Sequence, residues 1–203
     1  MNNSNEPSMD QLKLLFNLYN SNKYQEVIEK ANQLLQSHPK SVNLYNILGA
    51  SLNFLKLFDN AISAYFKAIA LNPTIESIYN NLGNAQKNKG DINASIKSFE
   101  KAISINPNYS EAYYNMGISH FMKRDYDTSL INFSKSLEIN PNLGDTYYNI
   151  ANIHLKKKEY NLAIKNYLKT IELLPNHFDT YNNLGKLNKE IKNYEKSLEY
   201  YLL

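Results

Sequence analysis

The sequence predicts an all-α fold built as a stack of helix pairs, and three observations carry that prediction. Five prolines, Pro39, Pro73, Pro107, Pro141 and Pro175, lie 34 residues apart. The stretch from Glu76 to Tyr109, ESIYNNLGNAQKNKGDINASIKSFEKAISINPNY, returns in recognisable form along nearly the whole chain. Within each return, apolar residues recur at helical spacing in two runs separated by a short polar turn. A fixed period of this length marks an array in which each unit is one supersecondary element that touches only its neighbours.

Met1 to Pro7 is rich in Asn and Ser and has little to bury, so a flexible lead is expected over 1–7. The first unit spans 8–41. Leu12, Leu15, Phe16 and Tyr19 give its first helix an apolar face, and Val27, Ala31 and Leu34 do the same for its second, with the turn near Asn20 to Lys23. Units 42–75, 76–109, 110–143, 144–177 and 178–203 repeat this order, making about six, the last of them truncated. Each proline is a stop signal, because its ring disfavours the helical region for the residue before it and it has no N–H to donate.

Small residues indicate where helices approach. Tyr79, Leu82, Gly83 and Gln86 share one side of a first helix, and Ser95, Phe99 and Ala102 answer from the second. Gly83 with Ala102, and equivalently Gly49 with Ala68, Gly117 with Ser136 and Ala151 with Thr170, are expected to mark the close contacts. Tyr45, Tyr79, Tyr113, Tyr147 and Tyr181 occupy one equivalent position and are expected to fill the core beside them. The first unit departs from the pattern, with Leu15 where others have Gly or Ala and Ala31 where others have an aromatic, so large and small have changed places. The end at Tyr200-Tyr201-Leu202-Leu203 is apolar and uncapped, which predicts either an excerpt of a longer protein or self-association through that end.

Composition narrows the function. A net charge of +3 over 203 residues supplies no broad basic field, which argues against nucleic acid as a partner. The absence of cysteine removes disulfides, thiolate catalysis and cysteine-ligated metals. No secretory leader and no run of roughly 18 apolar residues occurs, so no membrane association and a cytoplasmic location are expected. No Gly-rich phosphate loop, acid pair or nucleophile with a base appears, so no catalytic residue, cofactor or enzyme activity is expected. His120 and His154 are one period apart, but stacked helices hold equivalent residues about 8–10 Å apart, too far for one metal ion. Packed, hydrogen-bonded histidines are expected instead, and Lys156-Lys157-Lys158 is expected to be a solvated turn.

The recurring aromatic, Leu-Gly three and four residues later, then a small residue, an aromatic, Ala and a closing Pro resembles the tetratricopeptide repeat, over Ser8 to Leu203. The resemblance implies a right-handed α-solenoid of antiparallel helix pairs whose first helices line a groove that holds an extended protein or peptide ligand. The stripe turned to that groove would carry Asn81 and Asn84 in the third unit, Tyr114, Asn115, Ile118 and Phe121 in the fourth, Tyr148, Asn149 and Asn152 in the fifth, and Asn183 in the sixth. An apolar floor is thus expected around the fourth unit. Asn81, Asn115, Asn149 and Asn183 form a row that resembles the asparagine ladder of O-linked N-acetylglucosamine transferases, where amides grip the backbone of a bound chain. The lysines of a carboxylate clamp are missing, their place along the stripe being taken by Leu12, Asn46, Asn80, Tyr114 and Tyr148. Two functions follow from the resemblance: a non-catalytic interaction scaffold, or the substrate-selecting arm of an enzyme such as a glycosyltransferase whose catalytic domain lies beyond Leu203.

Overall fold

A computed structural model describes residues 5–202 and forms twelve α-helices there, with no strand among the described residues. They are α1 (Met9–Asn20), α2 (Tyr24–Ser37), α3 (Val42–Phe54), α4 (Phe58–Leu71), α5 (Glu76–Lys89), α6 (Ile92–Ile105), α7 (Ser110–Met122), α8 (Tyr126–Ile139), α9 (Gly144–Lys156), α10 (Tyr160–Leu173), α11 (Phe178–Glu190) and α12 (Tyr194–Tyr201). The chain divides into two compact bodies, residues 1–119 and 120–203.

Each hairpin turn closes in the same way. Asn22, Lys56, Gly90, Arg124, Lys158 and Lys192, all one period apart, have positive φ between 59° and 98°. The next residue caps the following helix, and in three turns its side chain does so directly: Asp91 to Ala94 N, Asp125 to Thr128 N, and Asn193 to Lys196 N. Only Gly90 adopts the left-handed conformation without the clash that a Cβ brings. The turns between pairs use Asn for a local reason. Asn72, Asn106 and Asn140 each accept a backbone N–H two residues on, from Thr74, Asn108 and Asn142, forming Asx turns across the proline.

In the first body α1 packs on α2, α3 on α4 and α5 on α6, while α2 meets α3 and α4 meets α5. Successive first helices also touch, α1 with α3 and α3 with α5, so they form one continuous face. Leu15 and Ala31 are both fully buried in this core, the large and small residues exchanged as the first unit's sequence predicts. In the second body α9–α10 and α11–α12 are the paired helices, around Ala151, Ala163, Tyr167, Leu184 and Leu187.

Three packing expectations change. The close contact at Gly83 is with the Phe99 ring, since a Cβ there would lie 2.5 Å from it; Gly49 meets Tyr65 and Gly185 meets Tyr201 in the same way. Glycine therefore makes room for an aromatic of the second helix, and not for a small residue such as Ala102. Tyr65, Phe99, Phe133 and Tyr167 are the large buried rings. Tyr45, Tyr79, Tyr113, Tyr147 and Tyr181 are only half-buried. Their hydroxyls need partners: Tyr79 donates to Pro73 O (3.3 Å) and Tyr181 to Pro175 O (3.1 Å), which ties each ring to the preceding turn. Finally, residues 1–4 of the expected lead lie outside the described residues, but Pro7 is buried and the Glu6 carboxylate accepts from Ser41 Oγ and Val42 N (2.8 Å). A carboxylate at the start of α3 meets unpaired N–H groups and the positive end of the helix dipole, which accounts for this docking.

Candidate functional site

The asparagine row does not act as four equal grips. Asn81 donates to Asn46 Oδ1 (3.1 Å) in the preceding unit. Asn115 is 6% exposed; its Nδ2 donates to Asn80 Oδ1 (3.0 Å) and its Oδ1 accepts from Lys87 Nζ (3.2 Å). Asn149 donates back to Asp145 O (2.8 Å) on its own helix. Asn183 donates toward Tyr148, Asn152 and Tyr167. Asn152 also accepts from the Tyr167 hydroxyl (2.5 Å), so it and Asn183 knit α9, α10 and α11 together. Amide pairs one unit apart recur: Asn46 with Asn81, Asn53 with Asn88 (3.1 Å), and Asn80 with Asn115. Asn115 is thus a buried staple between repeats. Its amide meets that of Asn80, which is 0% exposed and whose Oδ1 would otherwise be left without a donor.

One accessible concavity lies on the first helices of the first body. In the first body a pocket of about 860 Å3 opens on the face of α1, α3 and α5, lined among others by Tyr19, Phe54, Asn81, Asn84, Lys87 and Glu111. Phe54 is 56% exposed, yet its ring is held, stacked on Tyr24 at 4.7 Å and met edge-on by Tyr19 at 5.7 Å. The Asn84 side chain, half-exposed, makes no hydrogen bond among the described residues. Lys87 is largely sunk into the floor with its Nζ 6.0 Å from the Phe99 ring centroid. Burial pushes its ammonium below the ordinary lysine range, and the Glu111 carboxylate opposes that shift. Glu111 in turn accepts from Asn80 Nδ2 (2.9 Å) and the Tyr109 hydroxyl (3.4 Å).

Of the expected apolar floor, Tyr114 and Ile118 are half-buried in the first body. Phe121, in the second, contacts Tyr126 at 5.7 Å. Tyr148 packs on Tyr167 (5.9 Å) and His177 (4.6 Å), so its ring is engaged by its own fold. Sequence reasoning passed over Phe54, although a signal exists. At the equivalent position the other units carry Asn20, Asn88, Met122, Lys156 and Glu190, so Phe54 is the one aromatic there.

The histidines are fastened to carboxylates at the hairpin turns. His120 Nδ1 meets Asp125 Oδ2 (2.9 Å) and His154 Nδ1 meets Glu159 Oε2 (2.6 Å). Bonds from Thr128 first, and then from His120, hold Asp125 below the ordinary carboxylate range. Among the described residues no group of three His, Cys, Asp or Glu side chains is placed to hold a metal ion, and no helix is long and apolar enough to cross a membrane. Lys157 of the lysine run pairs with Asp127 (3.0 Å), and Lys158 is the left-handed turn residue.

The fold and its period define a helical repeat protein, and the chain belongs to the tetratricopeptide repeat family. Family models for this repeat match residues 77–109 and 144–177, 98–131 and 166–199, and 57–90, together more than half of the chain. Similar solved structures include PilW, a type IV pilus biogenesis factor, at 19% identity and a TM-score of 0.85, covering 94% of this chain and 88% of that one. PilF of Pseudomonas aeruginosa is 17% identical with a TM-score of 0.84, over 95% and 88% of the two chains. YrrB, described as a TPR protein with an unusual peptide-binding site, is 17% identical with a TM-score of 0.65, over 86% and 90%. A comparison with curated protein sequences finds no match.

Proposed function

We propose that the protein is a non-catalytic scaffold that binds an extended segment of a partner protein on the face formed by its first helices. The observation that carries this reading is the pocket over α3 and α5, where Asn84 and the outer face of Phe54 are not used by the fold. Core packing explains a buried aromatic; it does not explain one held rigidly at the mouth of a pocket. The amides beside it suit a peptide. In the Asn46–Asn81 and Asn53–Asn88 pairs, one Nδ2 donates to the other Oδ1, which leaves each pair a second Nδ2 and a second Oδ1. A donor beside an acceptor is the complement of a peptide unit, whatever the side chains. The peptide-binding site ascribed to YrrB supports the reading by analogy of fold.

The test is selection of a phage-displayed random dodecapeptide library on the intact protein, followed by titration of an enriched peptide. Asn84→Arg, which fills the pocket floor with a charged chain, should abolish binding. Glu100→Arg, on the exposed side of α6, should leave it within twofold of the parent. Equal binding by both variants would overturn the assignment of the face.

A further inference from the structure

The pocket's side chains also indicate which segment it selects, an inference that rests on the reading above. Phe54 offers a flat, fixed apolar platform at the C-terminal end of α3. Beside it are two lysines that no carboxylate hydrogen-bonds among the described residues: Lys56, exposed at the turn, and Lys87, which donates to the neutral amide of Asn115 (3.2 Å). Lys89, just outside the lining, is by contrast paired with Asp59 (2.5 Å). Glu111 is the one carboxylate in the lining, and both its oxygens already accept hydrogen bonds. The pocket therefore presents two cations against one anion, Glu111, whose field reaches Lys87 while its oxygens accept from other donors. Its unmet demand is for a carboxylate next to an apolar group.

Spacing refines this demand. Phe54 and Asn88 hold equivalent places in successive first helices, and Lys87 adjoins Asn88, so Phe54 and Lys87 sit one helix apart at nearly the same height. Adjacent helix axes lie about 8–10 Å apart, and an extended chain advances about 3.3 Å per residue. The two anchors are thus two or three residues apart along a bound strand. The Asn53–Asn88 bridge lies between them, placed for the main chain.

We propose that this pocket recognises an extended protein segment in which an aromatic residue or leucine is followed or preceded, two or three positions away, by Asp or Glu. The large side chain covers Phe54 and the carboxylate accepts from Lys87, with Lys56 adding attraction at the rim. This is an internal acidic side chain, held by a residue late in its helix.

The dodecapeptide library selected on the parent protein should enrich that pairing. A synthetic peptide of the enriched sequence should lose about 30-fold in affinity against Phe54→Ala, the size of a hot-spot truncation. Replacing its acidic residue by the amide should cost about tenfold against the parent and less than twofold against Lys87→Gln, because the charge then has no partner. That cycle compares two peptides on one protein, so a general weakening of the Lys87→Gln fold does not imitate it; circular dichroism checks the fold independently. Equal losses from the amide on both proteins overturn the pairing with Lys87. If enriched peptides lack the acidic residue yet still fail to bind Asn84→Arg, the face binds peptides and this selectivity is wrong. If no peptide is enriched, or binding survives Asn84→Arg, both readings fall.

Discussion

Exchanging Gly83 and Phe99 for Leu and Ala tests how the repeats are packed, because the first unit already carries that arrangement as Leu15 and Ala31. At Gly83 even a Cβ would come within 2.5 Å of Phe99 Cε1 and 2.8 Å of Cδ1 and Cζ, where carbon contacts ordinarily sit at about 3.5–4.0 Å. Phe99 is 0% exposed and cannot swing into solvent. Gly83→Leu alone should therefore cost at least the upper part of the overpacking range, about 1–3 kcal/mol. Phe99→Ala alone opens a cavity in the core, at about 3–5 kcal/mol. In the double variant the new side chain enters the space the ring has left, so the two costs should fall short of their sum by about 2 kcal/mol, within the range for residues in contact. Native-state hydrogen exchange of α5 and α6 amides is the assay, since it reads local opening energies without assuming that the array unfolds as one unit. Additive costs, to within about 0.5 kcal/mol, would refute the Gly–aromatic contact as the organising feature of each unit.

Other expectations concern the turns and the polar seams. Lys158 has φ 59°, so Lys158→Gly should raise the stability of the α9–α10 hairpin. The left-handed conformation costs about 1–2 kcal/mol, less the extra unfolded-state entropy of glycine, for a net gain of about 0.5–1 kcal/mol; an unchanged or lower melting temperature contradicts this. Thr146 Oγ1 is buried with no hydrogen-bond partner among the described residues, so Thr146→Val should stabilise by about 1 kcal/mol, and a loss of stability would mean that the hydroxyl is satisfied in solution. Asn80→Ala strands the buried amide of Asn115 and should cost about 1–3 kcal/mol, whereas Asn81→Ala leaves the half-exposed Asn46 open to water and should cost about 1 kcal/mol or less. Chemical denaturation that ranks them the other way round would show that the buried seam is not the stronger one.

What could be seen in the sequence was what the period controls. Prolines one unit apart, the alternation of small and large residues, and the exchange at Leu15 and Ala31 all reflect local stops and the filling of one helix pair, and these depend on residue size and spacing alone. What could not be seen depends on neighbours in three dimensions. Asn81, Asn115, Asn149 and Asn183 are equivalent in the repeat yet make different bonds, because an amide's partner is decided by the residue facing it in the next unit. The partly buried tyrosine stripe shows the same effect, since size alone argues for core and only the hydroxyl's partner places the ring. Glu6 docks on Ser41 and Val42 through a contact of long sequence separation that no local pattern announces. Phe54 was legible as the one aromatic at its place in the period, a departure from the repeat that periodicity by itself does not mark.

The central claim, that a partner segment lies on the first-helix face over α3 and α5, is tested most directly by NMR of asparagine side-chain amides during titration with the enriched dodecapeptide. The account predicts that the signals of Asn46, Asn53, Asn81, Asn84 and Asn88 shift together and saturate at one affinity, while those of Asn161 and Asn166 on α10 stay in place. Shifts at Asn161 and Asn166, with the α3 and α5 amides unmoved, would contradict it.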